Sequence, residues 1–124
     1  MDKQMPHHHA HTDLAVKLSG QLNRLDDFQV VSDVFKQLSD SSRVRIFWLL
    51  CHCEECVINI SALVNMSSPA VSHHLRQLKS SGLIVSRREG KEVYYKAADT
   101  EESHLLHRTI EKIMAMTCPQ YVHL

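Results

Sequence analysis

The stretch "SSPAVSHHLRQLKSSGLIVSRREGKEVYYKA", residues 67–97, restricts the possible folds of this chain more than any other. Ser68 can accept a hydrogen bond from an unsatisfied N–H of a helix's first turn, and Pro69 follows where a missing N–H costs nothing. A helix over 69–81 is therefore expected, ended by Gly82 in the left-handed conformation that glycine tolerates. At about 100° per residue, Val71, Leu75 and Leu78 fall within about 60° of one another and form a core face. Pro69, His73, Arg76 and Ser80 point the opposite way, with Gln77 beside them, Ser72 on the flank and His74 nearer the core edge. Directly behind this helix, "LIVSRR" (83–88) and "EVYYKA" (92–97) are β-rich runs around Gly90, the pattern of a hairpin.

Upstream, helical spacing recurs. Leu14, Leu18, Leu22 and Leu25 make one narrow apolar stripe over 13–25. "FQVVSDVFKQL" (28–38) reads as a second helix with Val31, Val34, Phe35 and Leu38 inward. "SDSS" offers N-cap chemistry before an apolar helix over 43–52 that carries the only tryptophan. A short helix at about 58–64 and a break at "NMSS" precede the 69–81 helix. A last helix over 100–117 is expected to bury Leu106, Ile110, Ile113 and Met114. The order is helices, helix–turn–helix, hairpin, helix: a mainly α fold with a two-stranded β wing, a winged helix-turn-helix.

The 124 residues suit one domain, here 13–118, between a histidine-rich arm (1–12) and a short tail (119–124). No apolar run approaches the ~20 residues of a membrane span and no secretory leader is evident, so no membrane partner and a cytoplasmic location are expected. Three glycines and no nucleophile–base or phosphate-loop motif argue against an enzyme. The formal net charge is zero, yet residues 73–96 hold six basic and two acidic side chains. That segregation leaves DNA available as a partner. Ser68, Ser72, His73, Arg76, Gln77 and Ser80 on the outer helix face could donate to base edges and phosphates of double-stranded DNA. Arg87, Arg88 and Lys91 at the hairpin tip suit phosphate or minor-groove contact. A module that binds another protein through the same helix is the alternative reading.

"VSHHLRQL", the glycine after it and "RREGKEVYY" closely resemble the recognition helix and wing of the ArsR/SmtB family of metal-responsive repressors, and "LSDSSRVRIFWLL" resembles the segment before them. The resemblance spans roughly residues 28–116. It implies a homodimer that sits on an inverted-repeat operator and is released when an inducer binds.

It also suggests where an inducer could bind. Cys56 in "ECVINI" matches a metal-ligand position of family sensors, although Ile58 and Asn59 stand where a second cysteine and an acidic residue would be. Cys53 lies three residues before Cys56, which puts both thiols on one face if the stretch is helical. Cys51 could turn toward them or be buried core. His7, His8, His9 and His11 of the arm could add imidazoles, His7 and His11 sharing a face if helical. Such a set suits Zn(II), Cd(II) or Pb(II), or with thiolates alone Cu(I). At a second family site Asp99 matches, but Glu101, Lys112 and Ala115 do not. A displaced site could use His104 and His107 with Asp99 or Glu102, which otherwise read as exposed polar residues. The rival mechanism is thiol sensing by Cys51 or Cys53 with Cys118. Glu54 and Glu55 disfavour thiolates there and favour a bound cation, so metal is the preferred inducer.

Overall fold

A computed structural model describes residues 5–118, which fall into two compact units, one up to Val34 and the other from Phe35 onward. In the first, the stripe expected as one helix is broken into α1 (Thr12–Lys17) and α2 (Ser19–Leu22). Ser19 Oγ donates back to the Val16 carbonyl at 2.7 Å, and Gly20 follows, a residue that weakens helix propagation. Leu14, Leu18, Leu22 and Leu25 all remain exposed. Helix α3 (Leu25–Gln37) starts earlier than the sequence suggests, placing Asp26 and Asp27 in its first turn where the helix dipole favours them. Val31 and Phe35 were expected inward; they are 51 and 66 % exposed. Their spacing does mark an apolar seam, but one copy of the chain does not cover it.

The second unit is organised by caps. Asp40 Oδ1 accepts from the Arg43 N–H at 3.0 Å and opens α4 (Ser41–His52), which buries Ile46, Phe47 and Leu50. After α4 the chain becomes extended at Cys53 (φ −152°, ψ 162°) and forms a two-residue strand, β1 (Glu55–Cys56). Helix α5 (Val57–Val64) ends on Asn65 in the left-handed conformation, φ 57°. Helix α6 (Ser68–Ser80) is capped by Ser67, whose Oγ accepts from the Ala70 N–H, so Ser68 and Pro69 occupy its first turn and the cap lies one residue earlier than expected. At its other end Leu83 N–H donates to the Leu78 carbonyl and Gly82 N–H to that of Lys79, with Gly82 at φ 81°. This is the Schellman closure that a glycine permits.

Strands β2 (Ile84–Glu89) and β3 (Glu92–Ala97) pair antiparallel from Ile84↔Ala97 to Glu89↔Glu92. The two-residue loop between them has Gly90 at φ 62° in its first position, which suits a tight hairpin. β1 adds to the other edge of β3, Glu55↔Tyr95 and Cys56↔Tyr94, giving the order β1-β3-β2. Helix α7 (Glu101–Thr117), capped by Thr100, buries Leu106 and Ile110. Ile113, expected inside, is 53 % exposed, and Met114 is half-buried. The buried Ser103 Oγ donates to the Leu83 carbonyl at 2.9 Å, tying α7 to the α6–β2 junction. No described helix is long and apolar enough to cross a membrane.

Candidate DNA-reading face and metal cleft

On α6 the expected division of faces is present. Val71, Leu75 and Leu78 are buried, while Ser68, Pro69, His73, Arg76 and Ser80 are exposed and Ser72 and Gln77 half-buried. Ser68 Oγ lies 3.2 Å from Ser61 Oγ, joining the start of α6 to α5. His74, at the core edge, is 9 % exposed between Arg43 and Asp40, with Arg43 Nε 3.5 Å from its Nδ1. Burial lowers its pKa first, and the charges of Arg43 and His73 lower it further against the opposing pull of Asp40. It therefore belongs to the support of the helix, whereas the neighbouring His73 faces outward.

The wing shows a difference. Arg88 and Lys91 stand exposed at the tip, but Arg87 is held. Its Nε and Nη2 reach Glu54 at 2.9 and 2.6 Å, its Nη1 reaches Glu89 at 2.6 Å, and its guanidinium lies over the Tyr94 ring. These hydrogen bonds raise the guanidinium pKa further and lower that of Glu54. Arg87 was expected to meet phosphate; here its fork already meets two carboxylates, one of them from the segment between the cysteines.

That segment does not have the helical form assumed from the Cys53–Cys56 spacing. Cys53 and β1 are extended, so the two residues share no helix face. Cys56 is buried, Cys53 exposed and Cys51 intermediate, and all four cysteines are free. Burial, and then the Glu111 charge, push the Cys51 thiol up to about 12; burial and then Glu55 raise that of Cys53. Without a cation both remain thiols at neutral pH, which weighs against spontaneous thiolate chemistry. Cys118 is exposed at the C-cap of α7. In the arm, His7, His8, His9 and His11 precede the first helix, so His7 and His11 do not share a helical face; His7 and His9 stack at 6.0 Å instead.

Only part of each proposed ligand set comes together, and buried Cys56 does not line the cleft that the others share. Cys51, His52 and Cys53 at the end of α4, Asp99 just before α7, and His104 and His107 within it line one cleft of about 260 Å³. Lys96 and Ala97 of β3 border it. His104 Nε2 lies 2.7 Å from Asp99 Oδ1, while His107 turns to Glu111 at 3.1 Å instead of joining His104. Glu102 is exposed and does not line the cleft. Among the described residues, the one group of three or more His, Cys, Asp or Glu side chains with ligand atoms within 4.8 Å of one another is His52, His107 and Glu111. His52 and Glu111 were not singled out as ligands from the sequence. The i,i+4 spacing of His107 and Glu111 was available there, but the contact with the end of α4 needs the tertiary fold.

Residues 40–86 match the family model described as bacterial regulatory protein, arsR family. The chain is 36 % identical over 95 residues to the transcriptional repressor SmtB homolog of Synechocystis sp., covering 77 % of this chain and 72 % of that one. It is 40 % identical over 79 residues to the cadmium resistance transcriptional regulatory protein CadC homolog of Staphylococcus aureus, covering 63 and 65 %. The fold superposes with a TM-score of 0.68 on the homodimeric winged helix-turn-helix DNA-binding domain of a possible ArsR-family regulator from Mycobacterium bovis, at 28 % identity and covering 82 and 94 % of the two chains. The capped α6 with its buried Val71–Leu75–Leu78 seam, the Gly90 hairpin and these matches agree: the chain is a winged helix-turn-helix protein and belongs to the ArsR family of bacterial regulatory proteins.

Proposed function

We propose that this protein is a metal-responsive transcriptional repressor that binds an inverted-repeat operator as a homodimer and leaves it when a thiophilic or borderline metal ion binds. The observation that carries this reading is the cleft in which sulfur and imidazole donors border strand β3 of the wing. A ligand change there acts on the elements that hold α6 and the hairpin. In this reading Ser68, Ser72, His73, Arg76, Gln77 and Ser80 face the major groove, and Arg88 and Lys91 meet the backbone, with Arg87 available when Glu54 lets go. The cadmium-resistance relative supports a metal as inducer, and the SmtB homolog supports a repressor.

Sulfur and nitrogen donors fit Zn(II), Cd(II) or Pb(II), and thiolates alone fit Cu(I). Cys53, Cys56 and Cys51 are the candidate thiol ligands, with His7, His8, His9 and His11 supplying imidazole from the same or the partner chain. Asp99, Glu102, His104 and His107 are the candidates at α7. A bound metal would supply charge that stabilises the Cys51 and Cys53 thiolates, whose raised pKa otherwise keeps them protonated. Release is then a coupling free energy between cation and operator, and operator DNA must weaken metal binding by the same factor.

Gel-shift titration of the reduced protein on a fragment of its own promoter tests this. Sequence-specific retardation that weakens steeply with salt and is reversed by Zn(II) or Cd(II) is expected. Absence of specific retardation at any promoter, its own included, removes the repressor reading and favours a protein-interaction module. Retardation insensitive to all four metals removes the metal inducer.

A further inference from the structure

We propose that His52, His107 and Glu111 form a cation site within a single protomer, taking a borderline divalent ion of the Zn(II) class and fastening the end of α4 to α7. His52 Nε2 lies 3.4 Å and His107 Nε2 3.1 Å from the same Glu111 Oε1. Zinc bonds of about 2.0–2.1 Å in tetrahedral geometry separate neighbouring ligand atoms by roughly 3.3 Å. The three donors are thus already near the spacing that a bound ion imposes. The two imidazole rings stand at 90° with centroids 4.9 Å apart, so they approach the shared carboxylate from different directions.

Two imidazoles and one carboxylate select a nitrogen-preferring ion over magnesium or calcium, which favour oxygen ligands. The surroundings suit a held ligand set. Trp48 Nε1 donates to the same Glu111 Oε1 at 3.2 Å and helps fix the carboxylate, as outer partners of metal ligands do. His107 and Glu111 lie one turn apart on α7, and α7 is anchored at Ser103. His52 is the last residue of α4. Binding requires each imidazole to present Nε2 as a bare lone pair, so the hydrogen bonds now made to Glu111 are replaced by bonds to the ion. The position has a mechanical consequence: Glu54, which grips Arg87 of the wing, follows His52 by two residues.

The site stands on this geometry and not on the repressor reading, and its test needs no DNA. Zn(II) is titrated into the full reduced chain against a chromophoric chelator while tryptophan fluorescence is followed. Trp48 is the only tryptophan, and its ring lies 4.5 Å from that of His52, so it reports on this site. A saturable fluorescence change is expected, weakened roughly tenfold or more in His52→Gln and in His107→Gln, since even outer-shell losses cost 10–100-fold in affinity. Glu111→Gln should weaken it as well; should that variant lose its far-UV helical signal, exposed His52→Gln and half-buried His107→Gln decide together. Unchanged Zn(II) affinity and unchanged Trp48 response in His107→Gln overturn the site. So does a wild-type protein whose bound Zn(II) leaves Trp48 unaffected, which marks the trio as a hydrogen-bonded cluster only.

Discussion

Arg87 shows how much one side chain can withhold from a DNA interface. Glu54 and Glu89 occupy its guanidinium, and Tyr94 lies beneath it, at a place where a wing would otherwise offer a cation to phosphate. Glu54→Gln removes one of the two charges and loosens the fork. If Arg87 then reaches the backbone, one more counterion is released per protomer, and the slope of log affinity against log salt steepens by about 1.8 for the dimer. Gel shifts across a salt series measure this; an unchanged slope shows that Arg87 stays on the wing. Because the pair is at the surface, thermal stability should hardly move. At this scale the sequence was a partial guide. The outward set on α6 could be read from 100° steps because that helix is long and amphipathic. The fate of Arg87 could not, since Glu54 lies 33 residues away. Cys53 and Cys56 misled for a related reason: a spacing of three means one face only in a helix, and the backbone there is extended. His52 and Glu111 are 59 positions apart and meet only because α4 and α7 pack together.

Elements were most legible where a cap, a seam and a stop coincided. For α6 all three were present, and only the cap moved, from Ser68 to Ser67, because two adjacent serines offer the same chemistry. Strand β1 escaped notice because two residues carry no periodicity; it exists by pairing with Tyr94 and Tyr95 of β3. The broken helix at Ser19–Gly20 was hidden under a regular leucine stripe. Helix α4 depends on one side chain at its start. Asp40→Ala removes the acceptor for the Arg43 N–H and should cost roughly 1 kcal/mol, read by urea unfolding at neutral pH. The Arg43 N–H bond leads the causes that depress the Asp40 pKa below the ordinary carboxyl value. A depressed pKa means that the stabilisation is full above the unfolded-state pKa and is lost as pH falls through the folded one. The difference between wild type and Asp40→Ala should therefore shrink in acid, to what a neutral carboxyl oxygen still contributes as a cap. A gap that persists undiminished there assigns the cost to something other than the ionised cap.

For the whole molecule, what stays uncovered is as informative as the core. Leu105, Ile113 and Met116 fall within about 80° of one another on α7 and are 55, 53 and 72 % exposed, while α3 leaves Val31 and Phe35 open. Apolar faces of this kind are costly in water and mark interaction surfaces. The similar Mycobacterium bovis domain is homodimeric, which supports a second copy of this chain as the cover. Reading Ile113, Val31 and Phe35 as inward was wrong for the single chain, which leaves all three exposed. A charge placed on the α7 face separates folding from assembly. Ile113 lies outside the buried core of the protomer, so in Ile113→Glu the helical signal and cooperative unfolding of the single chain should persist. Sedimentation should show the mass falling from dimer to monomer at micromolar concentration. The operator then supplies the decisive comparison. A two-fold dimer engages two half-sites at once, and its affinity gains from that linkage; a monomer keeps only the single-site term. Ile113→Glu should thus bind a duplex carrying one half-site as wild type does, yet lose roughly a hundredfold or more on the full inverted repeat. Equal losses on both duplexes show that α6 itself was disturbed. No loss on either shows that the exposed face of α7 is not what joins the copies.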